Sequence, residues 1–378
     1  MPSLTTSLPF SPAELAYLHT SLSSLPPLRP DARPLATDFR PLRAETGVLP
    51  AVNGSAHVGF SDGREAIVGV KLEVEKTVTT NKTVVLSKIG NEDGAMDTDD
   101  NNEQPPRKQD GTTNGVQERD EDKSKGGRPE WLTLTLTLPG LRDDDPNLVF
   151  LEEMLREPLA ISGLQEQLVI NHRWHWHVYV DVLLISPLGL ASYPLPLLSM
   201  AVHLALRDAR VPRLKSEGEE DPVADDDWMA SAFLYDSAGK RPPVTLLVVV
   251  VGENVIFDPN REELAVADAV VAVSVGRTAA STGSETGKKS AKENGEDYKI
   301  LAVRMIDTPA RDTMKGVPMS GEEGEGVDVP GVWKPRVGGI KRAVLKTVAK
   351  SVIQAGVARD VMAGLDGFLD VETNGVAS

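Results

Sequence analysis

Alternating apolar and polar positions predict two groups of β-strands along the chain. Residues 132–138 alternate leucine with threonine, and residues 173–185 alternate tryptophan or valine with polar side chains, so each run predicts a strand with one buried face. An eight-residue apolar run at 244–251 predicts a fully buried strand. Weaker strand patterns lie at 67–74, 255–258, 270–275 and 298–305.

Helical signals lie beside these strands. Ser11 and Glu14 form a capping-box pattern, and the leucine stripe that follows them ends at Pro26. Further helices are predicted at 148–157, 259–269 and 338–369. The last of these contains Gly356 and Gly364, where interruptions are predicted. Strands followed by helices, twice, predict a mixed α+β protein with two similar-sized halves.

One long span carries no fully charged side chain. It runs from Val182 to Leu206, a length that would cross a bilayer, but three prolines interrupt it. A buried strand, a turn and a buried helix explain this span better than a membrane helix does.

Charge is concentrated outside the predicted strands and helices. Most of the net charge of −16 lies in segments that are poor in large apolar residues and cannot bury enough surface to offset the entropy of ordering. We therefore predict a disordered insertion at 87–130, an acidic linker at 213–241 and an acidic insertion at 307–335. A further insertion at 276–297 has the same composition with balanced charge.

Composition excludes several classes of function. The chain has no cysteine, which excludes a disulfide scaffold, a cysteine-ligated zinc site and a thiol nucleophile. The acidic balance argues against a protein that coats nucleic acid by itself. Glycine-rich phosphate-binding motifs are missing, Ser186 and Ser199 lack a nucleophile-elbow motif, and the N-terminus lacks the pattern of a secretory signal.

Three histidines suggest a metal-binding protein as one hypothesis. His175 and His177 point to the same face of their strand, together with Asp181, and zinc accepts two imidazoles and a carboxylate. The alternative is that these are polar residues on an exposed or interface face. Because His172 precedes the strand and no further ligand is in register, the alternative is favoured and no metal ligand is predicted.

A basic stretch near the N-terminus has two interpretations. Arg29, Arg33, Arg40 and Arg43 follow one another closely. Contact with phosphate and ion pairs with carboxylates inside the fold are equally compatible with this pattern.

Several segments, taken in order, resemble the RNase PH family. The family's opening motif Arg-x-Asp-Gly-Arg is similar to RPDAR at 29–33, although Ala32 replaces the glycine and alanine disfavours positive φ. The other similar segments lie at 39–41, 46–48, 53–56, 69–73, 176–183, 201–206, 211–212, 243–244, 257–259 and 262–263. The segments at 53–56 and 69–71 are most similar to one of two sister types of ring subunit within the family.

Departures from the family pattern concern the chemistry. Active members place a carboxylate just after the central strand, a second acid one turn on, and phosphate-binding arginines at a helix start, for phosphorolysis of RNA 3′ ends. Here Ser186 occupies the first position, Tyr193 lies near the second, and the helix start reads DDDPN at 143–147. Without a proton donor or groups that hold phosphate, the reaction loses proton transfer and positioning. The resemblance thus implies a non-catalytic chain without a cofactor; the alternative is an active phosphate-dependent 3′→5′ exoribonuclease.

The resemblance also implies an architecture and partners. It implies two tandem halves like domain 2 of ribosomal protein S5, at 28–212 and 242–378, after an N-terminal helical segment at 1–27. It further implies a structural subunit of the hexameric ring of the eukaryotic RNA exosome, in the nucleus, nucleolus and cytoplasm and not in a membrane. Partners would be other RNase PH-like ring subunits, S1/KH-type cap proteins, RNA and a separate hydrolytic 3′→5′ exoribonuclease.

Arg156 is the residue that the resemblance assigns to RNA, because arginines in this helix of related non-catalytic subunits face RNA. The alternative is a salt bridge to Glu152 or Glu153, or a contact with a neighbouring subunit.

Overall fold

The computed structural model describes residues 10–77, 127–187, 189–190, 193–218, 220–235, 240–277, 298–306 and 340–375. Most of the predicted insertion at 87–130, nearly all of that at 276–297 and all of that at 307–335 lie outside the described residues. Helix α1 (Pro12–Ser23) begins at the predicted capping box, in which Ser11 Oγ accepts from Glu14 N and the Glu14 carboxylate accepts from Ser11 N.

The first sheet has five strands in the order β1-β2-β3-β5-β4. They are β1 (Leu42–Thr46), β2 (Gly54–Phe60), β3 (Glu65–Lys76), β4 (Leu132–Thr137) and β5 (Trp174–Ile185). Neighbouring strands are antiparallel except β4, which runs parallel to β5. A parallel pair needs a crossover connection, which contains helix α2 (Pro146–Ile161). The leucines of β4 are buried and its threonines exposed, as the alternation predicts.

The second sheet has four antiparallel strands and follows a short ribbon of β6 (Arg210–Val211) and β7 (Ala232–Phe233). Its order is β11-β10-β8-β9, with β8 (Val244–Val251), β9 (Asn254–Phe257), β10 (Ala269–Arg277) and β11 (Tyr298–Ile306). Every residue of β8 is buried, which confirms the prediction from its apolar run. The accompanying helices are α4 (Arg261–Ala265), α5 (Arg342–Ile353) and α6 (Val357–Gly375).

Helix α3 (Leu195–Asp208) lies between the two sheets. All residues from Leu195 to Leu206 are buried, against β2 and β3 on one side and β8 on the other. Ser199 Oγ accepts from Thr245 N at 2.7 Å and ties the helix to the second sheet. The uncharged span is therefore a strand, a turn and a buried helix, as predicted. In the part of the chain that the structure describes, no helix is long and apolar enough to cross a membrane.

Two predicted helices differ from the structure. The helix predicted at 259–269 is only the five residues of α4, because β10 already begins at Ala269 and takes the following residues into the second sheet. In the C-terminal region, Gly356 separates α5 from α6 with a φ of +83°, as predicted. Gly364, in contrast, lies inside α6 and does not interrupt it.

Candidate functional site

Ser186 and Tyr193 lie between β5 and α3, where the resemblance places catalytic acids. Ser186 Oγ donates to the Gly189 carbonyl oxygen at 2.7 Å, and Gly189 N donates back to Ser186 O at 3.2 Å. Tyr193 is buried with a φ of +45°, and its hydroxyl has no hydrogen-bond partner among the described residues. Burial raises the pKa of this phenol, so it stays protonated at neutral pH. Neither side chain is a carboxylate, and the serine hydroxyl is committed to closing the turn.

The start of α2 is acidic where the family has phosphate-binding arginines. Asp145 Oδ1 accepts from Asn147 N at 2.9 Å and caps the helix. The capping carboxylate occupies the amide end of the helix, where a free anion would otherwise bind. The one arginine beside it, Arg142, donates to Asp144 at 2.9 Å on the exposed surface.

Arg156 lies on α2, with its side chain 36% exposed. Its Nε and one terminal nitrogen donate to the two carboxylate oxygens of Glu153 at 2.9 and 3.1 Å. Glu152 has a different partner: its carboxylate accepts a hydrogen bond from Leu136 N at 2.8 Å and so joins α2 to the edge strand β4. Of the two intramolecular partners predicted for Arg156, the structure pairs it with Glu153, and the arginine side chain remains partly exposed.

The basic stretch near the N-terminus is mostly internal. Arg29 Nε donates to Glu263 Oε1 at 2.7 Å, and both side chains are fully buried. Asp258 is a second buried carboxylate and accepts from Arg33 at 3.1 Å and from Arg40 Nε at 2.9 Å. These contacts join the segment before β1 to the segment after β9. Ion pairs inside the fold, the second interpretation of this stretch, therefore account for three of its four arginines.

The opening motif retains its turn despite the alanine. Ala32 N donates to Arg29 O at 3.1 Å, and Ala32 adopts a φ of +60°. The turn thus keeps the left-handed conformation that a glycine would take without strain. Arg43 is the exception among the basic residues, because its side chain is 80% exposed and its contact with Glu65 is 3.8 Å long.

The segment at 53–56 has a structural role. Asn53 Oδ1 accepts from Leu72 N at 2.9 Å, and its Nδ2 donates to Arg210 O at 3.0 Å. A Cβ at Gly54 would lie 2.4 Å from the backbone of Ala209, so glycine is needed where β2 meets the end of α3. This part of the resemblance reflects the packing of α3 on the first sheet.

A cavity of 570 Å³ lies between the basic stretch and α6. Its lining is mostly apolar, with Asp38, Arg40 and Asp360 as its charged residues. Because Arg40 is already paired with Asp258, the cavity offers no free arginine for phosphate among the described residues that line it.

At the opposite end of β5 from Ser186, His175 and His177 come together with Glu75 of β3. One potential ligand atom from each of the three residues lies within 4.8 Å of the other two. The partner that the sequence suggested, Asp181, does not belong to this cluster, and neither does His172. The sequence did not predict Glu75 as a member of the cluster. Glu75 lies opposite His175 only because β3 pairs with β5, and this long-range pairing cannot be deduced from the local pattern.

Two members of the cluster, His175 and Glu75, have a pKa below the ordinary value. Burial lowers the pKa of His175 and favours the neutral imidazole. A hydrogen bond from the Tyr179 hydroxyl lowers the pKa of Glu75 and favours the carboxylate. The ring of Trp131 stacks on His175 with centroids 4.2 Å apart, and Tyr179 stacks on His177 at 4.3 Å.

The two larger sheets and the helices that pack on them form an RNase PH-like α+β fold. No family model matches the chain. Among solved structures, a chain titled "Archaeal exosome core" is similar with a TM-score of 0.51 and 15% identity, covering 94% of this chain and 98% of that chain. This likeness shows the fold.

Two curated proteins carry the sequence similarity. Exosome complex component RRP42 of Saccharomyces cerevisiae is 29% identical over 265 residues, which cover 68% of this chain and 78% of that protein. Exosome complex component rrp42 of Schizosaccharomyces pombe is 26% identical over 277 residues, covering 69% of this chain and 77% of that protein. Together with the fold, these matches show that the chain is similar to exosome components of the Rrp42 type.

Proposed function

We propose that this chain is a non-catalytic structural subunit of the hexameric ring of an RNA exosome. In this role it supports 3′→5′ processing and degradation by channelling RNA to a separate nuclease. The observation that carries the proposal is the end of β5: an RNase PH-like fold presents Ser186 and Tyr193 there instead of a pair of acids.

Physical chemistry supports the loss of activity. Phosphorolysis needs a group that protonates the leaving 3′ oxygen and cations that position phosphate. A buried, protonated phenol and a serine hydroxyl bonded to Gly189 supply neither a carboxylate nor a positive charge. The aspartates at the start of α2 repel phosphate from the position where arginines would hold it.

The two halves are proposed to divide at 28–212 and 242–378, with 1–27 as an N-terminal helical segment and 213–241 as a linker. Each half contains one of the two larger sheets. Apolar side chains are exposed on helix α2 and on the edge strand β11, which Arg304 and Glu157 join through an ion pair. The exposed apolar side chains are Val149, Phe150 and Ile161 on α2 and Val303 and Met305 on β11. We assign this surface to a neighbouring RNase PH-like ring subunit, since an uncovered apolar edge favours pairing.

Arg156 is proposed to contact RNA. Its guanidinium lies on the surface with one carboxylate partner, so part of its charge is available to a phosphate or a base. The remaining proposed partners are S1/KH-type cap proteins and a hydrolytic 3′→5′ exoribonuclease, and the proposed compartments are the nucleus, nucleolus and cytoplasm. The relatives named as exosome components support these assignments at the level of the complex.

Co-expression of the full chain with its RNase PH-like ring partners tests assembly. We expect a stable complex with one copy of this chain per ring, measured by native mass spectrometry. The Phe150→Glu variant should weaken the complex, whereas Val223→Glu, at another exposed apolar position outside this surface, should leave it intact. A full chain that stays alone with all partners present would contradict the proposal.

A phosphorolysis assay tests the enzymatic alternative. Purified chain is incubated with inorganic phosphate and oligo(A), and release of nucleoside diphosphate is measured for the wild type and for Ser186→Ala and Tyr193→Phe. We expect no turnover above a blank for any of the three. Turnover by the wild type that disappears in either variant would establish an active exoribonuclease instead.

A further inference from the structure

The strands β3 and β5 bring two imidazoles and a carboxylate to one corner of the first sheet. Glu75 lies directly opposite His175 in the antiparallel register, and His177 lies two residues further along the same face of β5. This placement depends on rigid strands near the middle of the sheet, with β4 on the far side of β5. The three groups converge because of the backbone register, without a flexible loop.

Distances between the facing atoms match the needs of a small divalent ion. Glu75 Oε2 is 3.2 Å from His177 Nδ1 and 3.9 Å from His175 Nε2. Zinc bonds of about 2.0–2.2 Å in a tetrahedral arrangement place neighbouring ligand atoms roughly 3.3–3.5 Å apart. Small side-chain movements would therefore bring all three atoms into ligand positions.

Each of these residues is held from behind by a hydroxyl group. Thr77 Oγ1 lies 3.0 Å from His175 Nδ1, and Thr133 Oγ1 lies 2.9 Å from His177 Nε2. The Tyr179 hydroxyl donates to the other oxygen of Glu75 at 2.7 Å. In metal sites such outer contacts orient the ligands and fix the histidine tautomer, leaving the inner atom free to bind.

One buried nitrogen atom of the cluster has no hydrogen-bond partner among the described residues. His175 is 3% exposed, and its Nε2 has no hydrogen-bond partner among the described residues. A buried polar atom without a partner costs free energy and needs a reason. In the tautomer whose Nδ1 donates to Thr77, Nε2 carries a lone pair and lies 3.9 Å from Glu75 Oε2, and a cation between these two atoms would satisfy both.

We propose that Glu75, His175 and His177 form a binding site for a divalent transition metal, with Zn²⁺ as the preferred ion. Two imidazoles and one carboxylate suit zinc, whereas magnesium and calcium prefer oxygen ligands. In this site His175 would bind the ion through Nε2 and His177 through Nδ1, while His177 Nε2 would donate to Thr133. Thr77 and Trp131, which belong to the described segments before and after residues 78–126, both contact His175. Metal binding by His175 would therefore stabilise the packing of these two segments.

The test uses the full chain treated with a chelator and then titrated with ZnCl₂ by isothermal titration calorimetry. We expect one saturable site per chain and a Zn²⁺-dependent rise in the melting temperature. Glu75→Gln and His177→Gln should each weaken binding at least about tenfold. Co²⁺ substitution should give visible absorption bands of a tetrahedral site in the wild type and not in these variants.

A matched control comes from the same sheet. His57 Nε2 lies 3.2 Å from Glu65 Oε2, so this pair offers one imidazole and one carboxylate without a second histidine. His57→Gln should leave the affinity for Zn²⁺ unchanged. Far-UV circular dichroism of the metal-free variants separates loss of the site from loss of the fold. No saturable binding by the wild type, or equal affinity in the folded Glu75→Gln and His177→Gln variants, would overturn the proposal.

Discussion

Arginines occur in two settings in this chain, and the settings differ in how the charge is balanced. Arg29 and Arg40 are nearly buried, and each forms short contacts with the buried carboxylates of Glu263 or Asp258. Arg142 and Arg156 lie on the surface, and the carboxylates beside them, Asp144 and Glu153, are themselves exposed.

The difference separates arginines that hold the fold together from arginines that remain accessible at the surface. Moving a charge from water into the protein interior costs several kcal/mol unless a counter-charge accompanies it. Arg29, Arg33 and Arg40 therefore stabilise the packing of the segment before β1 against the segment after β9. An arginine that matches a family motif is a candidate for phosphate only where its guanidinium remains accessible, as at Arg156.

The largest expected effect is that of Asp258→Asn, which breaks the buried group. An asparagine side chain would keep the shape of the aspartate and tolerate the φ of +48°. It would remove the buried counter-charge that Arg33 and Arg40 share, and leave them the more exposed carboxylates of Asp31 and Asp62. We expect a loss of about 3–5 kcal/mol in the free energy of unfolding, measured by urea denaturation. Asp144→Asn, at an exposed pair, should change it by less than about 0.5 kcal/mol. Equal effects at the two positions would remove the distinction between the settings.

His203 extends the comparison to a buried base that has no carboxylate bonded to it among the described residues. Its Nδ1 donates to Pro242 O at 2.8 Å, and complete burial lowers its pKa to about 4. The charge of Asp366 raises this pKa, while the charges of Arg207 and Arg241 lower it. His203 thus stays neutral inside the protein where the arginines stay charged.

The pH dependence of the free energy of unfolding tests whether His203 is neutral in the folded protein. Between the ordinary pKa of 6.5 and the folded pKa of about 4, the unfolded chain binds the proton more readily, so stability is lost as the pH falls. The loss attributable to His203 is about 3 kcal/mol over the whole range, with roughly 1 kcal/mol of it between about pH 7.5 and 5.5. His203→Leu should flatten the slope of unfolding free energy against pH in this window. An unchanged slope would show that folding does not shift the pKa of this imidazole.

Local sequence patterns predicted individual strands and helices, whereas the contacts of the candidate site depend on pairing between residues that are distant in the sequence. The alternation of residues 132–138, the apolar run at 244–251 and the uncharged span ending in α3 each determine one element, and each prediction is confirmed. The ion pairs of Arg29 with Glu263 join residues 234 positions apart, and the pairing of Glu75 with His177 joins residues 102 positions apart. Periodicity contains no information about such partners, so the sequence left both the basic stretch and the histidines with two interpretations.

Substitution of Arg156 tests whether an accessible arginine contributes to RNA binding. In the assembled ring, Arg156→Ala should weaken binding of oligo(A) about 3- to 10-fold and reduce the slope of log affinity against log salt by roughly 1. Unfolding free energy should change by less than about 0.5 kcal/mol, because the pair with Glu153 is exposed. Arg142→Ala, at another exposed arginine near the start of the same helix, should bind RNA like the wild type. Equal losses in the two variants would indicate a general effect of surface charge, and no loss in Arg156→Ala would assign its charge to Glu153 alone.

The smallest expected effect concerns the strained turn at Ala32, which lies between Arg29 and Arg33 in the sequence. At a φ of +60°, the Cβ of Ala32 crowds its own backbone, at a cost of about 1–2 kcal/mol. Ala32→Gly removes this strain but gives the unfolded chain more freedom, worth about 0.4–1 kcal/mol, so we expect a net gain of about 0.5 kcal/mol. Ala44→Gly, in the extended strand β1, should instead lower stability by roughly 0.5–1 kcal/mol. The opposite signs, measured by urea denaturation under one set of conditions, would show that the buried arginines are held by a turn that tolerates strain. A loss at both positions would mean that Ala32 is relaxed in its left-handed conformation.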